Sequence, residues 1–286
     1  MNILVVLLLS IAIISFAIFF YIWYRLRKSL RVASDPSKDT PSKYHLKYET
    51  RSFKTADGIS LSGWYIPAKN PKAVVICIHG YVDTKATILD HAVYLHDGGY
   101  TTFFIDLRSD HPKTKYTLGV QEWKDIEAAY EYMKSLPENK NKKIGFFSGS
   151  MGAATVLVAT GKTNKGDFVI ASVPYANFKR LFAHQLRAEK LPPFFLPFLR
   201  LAALLELGLH HDKHIPSKYI GKITKPVLLM AATHDKMVNK QDAKHLFDLA
   251  NDPKHFWQAD TGHVIFKEKP EEFKKQVLGF LDRYVV

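Results

Sequence analysis

The sequence predicts an α/β fold, a mostly parallel sheet covered by helices on both faces, preceded by one membrane-spanning helix. Three observations carry this. Short runs of β-branched and apolar residues alternate with longer helical stretches through most of the chain. Those runs are apolar without alternation, as strands buried on both faces must be. The first 31 residues differ in composition from everything after them.

The N-terminal segment comes first. Ile3 to Trp23 is 21 residues long and uncharged, with serines only at 10 and 15. A helix rises about 1.5 Å per residue, so this one covers the roughly 30 Å hydrocarbon core of a bilayer. Tyr21, Trp23 and Tyr24 supply an aromatic belt, and Arg25, Arg27, Lys28 and Arg31 follow. A cleaved leader wants a basic start, a shorter apolar core and a small-residue cleavage site, and none of these is present. A core helix packed on one face would show a polar face on the other, and this segment has none. The positive-inside rule places the basic flank, and the domain after it, in the cytoplasm. Residues 1–31 thus read as a single-pass anchor of the cell membrane with its basic flank.

Residues 32–43 are polar and broken by proline, which reads as a linker. The domain proper is expected over 44–286. Tyr48 to Phe53 and Ile59 to Ile66 alternate around an Ala56-Asp57-Gly58 turn and predict an antiparallel hairpin. Five buried strands follow, at Ala73–Ile78, Thr101–Asp106, Lys143–Phe147, Phe168–Ser172 and Val227–Ala232. A further strand-like run covers Lys254–Gln258. Helices are expected between them, among them Val120–Leu136 and Met151–Thr160. Residues 177–218 interrupt the alternation and are too long for a simple crossover. The middle of this insertion, Leu191 to Leu209, is strongly apolar, but Pro192, Pro193 and Pro197 crowd its start and Arg200 and Glu206 interrupt it. A helical cap over the carboxyl edge of the sheet fits better than a second membrane span.

Composition excludes several function classes. The single cysteine, Cys77, permits neither an intrachain disulfide framework nor a cysteine zinc site. The net charge of +13 suits either nucleic acid or an anionic membrane surface, and the apolar N-terminal helix decides for the membrane. No nucleic-acid partner is expected. No phosphate-binding glycine loop or dinucleotide fingerprint occurs. His210-His211-Asp212-Lys213-His214 offers ligand types for a metal, but Lys213 opposes a cation, and the segment reads as an exposed loop after the cap.

The chemistry is concentrated at strand ends. Lys143–Phe147 runs into Ser148-Gly149-Ser150-Met151-Gly152 and then an alanine-rich helix. A serine on such a strand-to-helix turn projects its hydroxyl, and the sharp turn needs small residues two positions to either side. A serine is a weak nucleophile and requires a base, which in turn requires an orienting acid. Asp235 follows the fifth buried strand, and His263 follows Gly262 after the last one. An Asp after a strand can be a turn cap, and a His a surface residue. The order Ser150, Asp235, His263, each at a strand's carboxyl end, makes coincidence a poor explanation. Ile78-His79-Gly80-Tyr81 ends the first parallel strand. The backbone N–H groups of Tyr81 and Met151 are the expected oxyanion donors. His79, ahead of the nucleophile and beside Gly80, is expected to hold the loop.

These segments together resemble the α/β-hydrolase superfamily, and within it membrane-anchored bacterial-type serine hydrolases with a single N-terminal span. The resemblance rests on Ile78-His79-Gly80-Tyr81, Asp106-Leu107-Arg108, Thr117-Leu118-Gly119 with Asp125, Ser148-Gly149-Ser150-Met151-Gly152, Pro226-Val227-Leu228-Leu229 leading to Asp235, and Gly262-His263. It covers the chain from about Tyr44 onward. Two departures stand out. Ser148 replaces the first glycine of the elbow, and Ser109-Asp110-His111-Pro112 stands where the family has a glycine-containing turn ending in serine. The resemblance implies an α/β-hydrolase fold and hydrolysis through a Ser150-His263-Asp235 triad with no cofactor and no metal. The substrate it implies is a small-molecule or lipid-like acyl ester. A serine peptidase acting on short peptides would need a charged anchor for a peptide terminus, and none is evident in the cap. A non-catalytic membrane scaffold would keep its function on Ser150→Ala.

Overall fold

The computed structural model describes residues 2–34, 37–110 and 114–286. Asp35 and Pro36 of the expected linker, and His111 and Pro112 of the departing loop, lie outside the described residues. The fold is the α/β-hydrolase fold, with an eight-stranded sheet at its centre.

The strands are β1 (Glu49–Lys54), β2 (Ser60–Ile66), β3 (Val74–Ile78), β4 (Thr101–Ile105), β5 (Ile144–Gly149), β6 (Val169–Ser172), β7 (Val227–Ala232) and β8 (Lys254–Ala259). Their spatial order is β1-β2-β4-β3-β5-β6-β7-β8. β1 and β2 form the expected hairpin, in register from Glu49 opposite Tyr65 to Lys54 opposite Ser60. Gly58 turns it with φ of +86°, a conformation open to glycine at no steric cost. β2 also lies antiparallel to β4, and every pairing from β4 to β8 is parallel.

The sheet sorts its side chains by parity. On β3, Val74, Ile76 and Ile78 join the core on one face, and Val75 and Cys77 that on the other. The first face is covered by α3 (Trp123–Ser135) and α4 (Ser150–Thr163). The second is covered by α2 (Asp90–Asp97) and α10 (Pro270–Tyr284). Residues 151–160 of α4 are all buried, which explains why its sequence is apolar on every side. Cys77 is free and buried in this core, and burial pushes its thiol far above its ordinary value.

The insertion after β6 is helical. It holds α5 (Phe178–Ala188), α6 (Leu196–Leu207) and the single turn α7 (Pro216–Tyr219). Asn177 caps α5 by accepting from the Arg180 amide at 3.0 Å. α8 (Gln241–Leu249) and the short α9 (Ile265–Glu268) complete the set.

α1 (Ile3–Ser29) is, among the described residues, the one helix long and apolar enough to cross a membrane. Its apolar window has a mean hydropathy of 3.1 and none of it is buried. The chain joins the domain directly after it. Leu30 is buried in the core, and its carbonyl accepts from the Tyr116 amide at 2.9 Å.

Candidate active site

The strand order creates the site. From β3 the chain moves to β4 on one side and later to β5 on the other, so the carboxyl ends of β3 and β5 flank a topological switch point. Open α/β sheets bind ligands there. The loops after β3, β5, β7 and β8 all leave the same sheet edge, and they carry Tyr81, Ser150, Asp235 and His263.

Ser150 opens α4 with φ of +55°, a left-handed conformation costly for a residue with a side chain. The turn is tight enough to dictate its neighbours. A Cβ at Gly152 would lie 2.2 Å from Ser148 Oγ and 2.4 Å from the His79 carbonyl oxygen. A Cβ at Gly80 would lie 2.9 Å from the Asp83 carboxylate and 3.6 Å from Ser150 Cβ. Ser148, where the family has glycine, is accommodated because its hydroxyl donates to the Ile78 carbonyl at 2.7 Å on the adjacent strand.

The three residues singled out from the sequence meet. His263 Nε2 lies 2.9 Å from Ser150 Oγ, and His263 Nδ1 lies 2.7 Å from Asp235 Oδ2. The other Asp235 oxygen accepts from the Met237 and Val238 amides at 2.7 and 2.9 Å. An acceptor-only carboxylate on Nδ1 fixes the tautomer, leaving Nε2 free to accept from the serine hydroxyl. The Asp235 side chain is 2% exposed, which strengthens its hold on the ring.

Met151 is in the first turn of α4, where amides have no intrahelical partner and the helix dipole is positive. Tyr81 lines the same cavity as Ser150 and Met151. Its phenol donates to the Ser29 carbonyl at 2.7 Å, and burial pushes that phenol above its ordinary value.

Two cavities flank Ser150. The larger, about 380 Å³, is walled by Leu26, Leu30, Tyr81, Leu181, Phe182 and Val238 among others. The smaller, about 120 Å³, is walled by His263, Gly149, Ser172 and Phe147 among others. His91 lies against this second pocket, with ring centroids 4.6 Å from Phe147 and 4.4 Å from Phe266. Burial pushes it down to about 3, so it is a neutral packing residue. Nothing in the sequence around His91 signals this position.

The remaining candidates are structural. His79 accepts from the Leu107 amide at 3.1 Å and its Nδ1 lies 2.9 Å from the Gly80 carbonyl, so it ties two loops together. Arg108 bridges Asp125 on α3 and Asp57 in the hairpin turn, each at 2.8 Å. Asp106 is paired with Lys85. Among the described residues, His79, Asp106 and Asp110 converge within 4.8 Å and could hold a cation, in competition with Lys85. The histidine-rich stretch differs from its expected exposed loop. His211 is buried, with its ring 5.3 Å from Phe178, and His214 stacks on Trp123 at 6.3 Å, so the two serve packing. Sequence reasoning also missed Glu189, at the end of α5, which lines the larger cavity.

Known proteins are similar to this chain. The uncharacterised protein YqkD of Bacillus subtilis is 29% identical over 242 residues, 80% of this chain and 77% of YqkD. A polyketide transferase, ATR5 of Stachybotrys chlorohalonatus, is 24% identical over 82% of this chain and 97% of its own. The Pyrococcus furiosus esterase Pf2001 superposes with a TM-score of 0.73 at 24% identity, covering 88% of this chain and 97% of the esterase, a likeness of fold. Residues 69–219, more than half of the chain, match the hydrolase family described as serine aminopeptidase, S33. With its sheet topology, elbow and strand-end loops, the chain belongs to that family of α/β hydrolases.

Proposed function

We propose that this chain is a membrane-tethered serine hydrolase that cleaves carboxylic esters, lipid-like acyl esters included, through an acyl-enzyme on Ser150. The observation that carries the reading is the pair of contacts at His263, 2.9 Å to Ser150 Oγ and 2.7 Å to Asp235 Oδ2, at the mouth of a cavity with largely apolar walls.

In this mechanism the Ser150 hydroxyl gives its proton to His263 Nε2 as Oγ bonds to the acyl carbon. Asp235 stabilises the imidazolium. The amides of Tyr81 and Met151 hold the oxyanion, each worth about 3 kcal/mol in the transition state. The carbon–oxygen bond to the alcohol then breaks, and His263 returns the proton to the leaving oxygen. His263 lines the smaller pocket, which suits that pocket to the leaving group and the larger cavity to the acyl chain. Water, deprotonated by the same imidazole, releases the acid and restores Ser150. These side chains, two amides and water balance the reaction. α1 spans the membrane in this reading, and Arg25, Arg27, Lys28 and Arg31 keep the domain on the cytoplasmic side of the cell membrane.

One observation favours a second reading, an aminopeptidase. Glu189, an exposed acidic residue lining the larger cavity, offers a charge partner for the free amino group of a short peptide. Hydrolysis of p-nitrophenyl butyrate against that of alanine p-nitroanilide, by the full chain in detergent, separates the two. Ester turnover with no detectable anilide turnover supports the proposal. Anilide turnover that is lost on Glu189→Gln while ester turnover persists establishes the peptidase.

A further inference from the structure

The cavity at Ser150 continues along α1. A second cavity of about 300 Å³ shares Leu26, Ser29, Gln185 and Glu189 with the first and extends to Tyr21, Ile22 and Leu199. One wall of both is the membrane helix, and the opposite wall is the cap. The outer end lies at Tyr21 and Ile22, beside the aromatic belt and at the last turns before the basic flank. On a spanning helix that is the level of the membrane–water interface.

α1 is fixed in this position. Glu206 on α6 is buried, with a side chain 3% exposed, and accepts from Trp23 Nε1 at 3.0 Å, Arg27 at 3.3 Å, Arg31 at 2.9 Å and Lys115 Nζ at 2.9 Å. Tyr81 adds its bond to the Ser29 carbonyl. A mere tether needs none of these contacts. Beside α1, Leu201 and Leu205 stand one turn apart on α6 and remain 48% and 61% exposed, which suits contact with lipid.

We propose that α1 forms one wall of the acyl-chain site, and that the two cavities are a single groove admitting one acyl chain of a bilayer-resident ester laterally from the membrane to Ser150. The inference rests on the reading of Ser150 as nucleophile and adds the source and path of the substrate. Because the two cavities share lining residues, together they run from the nucleophile toward the interface, and their apolar walls cover one side of a chain along that path. A methylene that the groove did not cover would have to enter water on the way from the bilayer to Ser150, at a cost of about fourfold in kcat/KM each. Short esters that cannot reach past Leu26 gain nothing from the outer half.

The test uses the full chain in phosphatidylcholine vesicles, with p-nitrophenyl acetate entering from water and p-nitrophenyl dodecanoate partitioned into the bilayer. Ile22→Trp and Leu199→Trp fill the outer half from opposite walls, and Ile13→Trp places the same side chain on α1 away from the groove. The proposal expects the ratio of dodecanoate to acetate kcat/KM to fall at least about tenfold in both groove variants, the worth of two or more methylenes, and to be unchanged in Ile13→Trp. The ratio cancels any loss that misplacement imposes on both substrates. An unchanged ratio in both groove variants overturns the groove while leaving Ser150 as nucleophile. Hydrolysis of neither ester by the unsubstituted chain, with no fluorophosphonate labelling, overturns the underlying reading instead.

Discussion

The phenol of Tyr81 donates a 2.7 Å hydrogen bond to the carbonyl oxygen of Ser29, joining the loop beside Ser150 to the last turn of the N-terminal helix. Carbonyls in a helix's last turn have no intrahelical donor, so the bond supplies a partner that the helix cannot. The same tyrosine stands edge-on to Tyr116 at 4.9 Å, which fixes its ring between α1 and the domain. The end of α1 and the loop carrying Tyr81 are therefore one packed unit.

Tyr81→Phe removes that bond and keeps the ring. It is expected to cost about 1 kcal/mol. Hydrogen exchange of the amides at residues 26–31 in detergent micelles should accelerate about fivefold, the same energy read as a rate.

Glu206 gives a pH dependence with a definite sign. Burial alone would raise its carboxyl, but the hydrogen bonds and charges of Lys115 and Arg31 outweigh burial and hold it at about 2, against an ordinary 4.5. A depressed value means that the contribution to docking is complete above about 4.5 and is lost as pH falls toward 2. Protection of residues 23–31 from exchange should thus be flat from pH 7 to 5 and decline below that. Glu206→Gln should show the reduced protection at every pH, because the three basic partners lose their counter-charge.

Arg108→Ala leaves Asp125, which is fully buried, without its guanidinium. Removing one partner of a buried ion pair costs about 3–5 kcal/mol. Chemical denaturation of the full chain should show that loss. A replacement of Lys124, a half-exposed partner of Asp57, to which Arg108 also bonds, should cost less than about 1 kcal/mol.

Gly152→Ala places a methyl against the His79 carbonyl and the Ser148 hydroxyl. The backbone must shift, at about 1–3 kcal/mol. Ser148→Ala in the same chain removes only the hydroxyl half of the clash, so it should restore less than half of the lost stability in a thermal melt. Ester turnover should fall further than stability does, because the shift moves Ser150.

Much of this site was legible because its parts are local. Ser150, Asp235 and His263 each follow a recognisable strand, and the turn chemistry around Ser150 is set by residues within two positions. The hairpin was legible for the same reason. The placement of α1 was not. Glu206 reads in sequence as an interruption of an apolar run, and Arg27 and Arg31 as a topology signal. Only the fold brings them together, across 175 and 179 positions. His211 likewise reads as a surface residue until α5 supplies Phe178 as its neighbour. Long-range pairing also sets the strand order, in which β4 inserts between β2 and β3. No run of residues announces that.

The most direct measurement is fluorophosphonate labelling of the full chain in detergent, with the modified residue located by mass spectrometry, beside Ser150→Ala, His263→Ala and Asp235→Asn. The account predicts a single adduct on Ser150, absent in Ser150→Ala. Labelling of His263→Ala and Asp235→Asn should be slower by roughly 10³-fold or more, because base and orienting acid act as one unit. Labelling of Ser150 that proceeds equally well without His263, or no labelling of the folded unsubstituted chain, would contradict it.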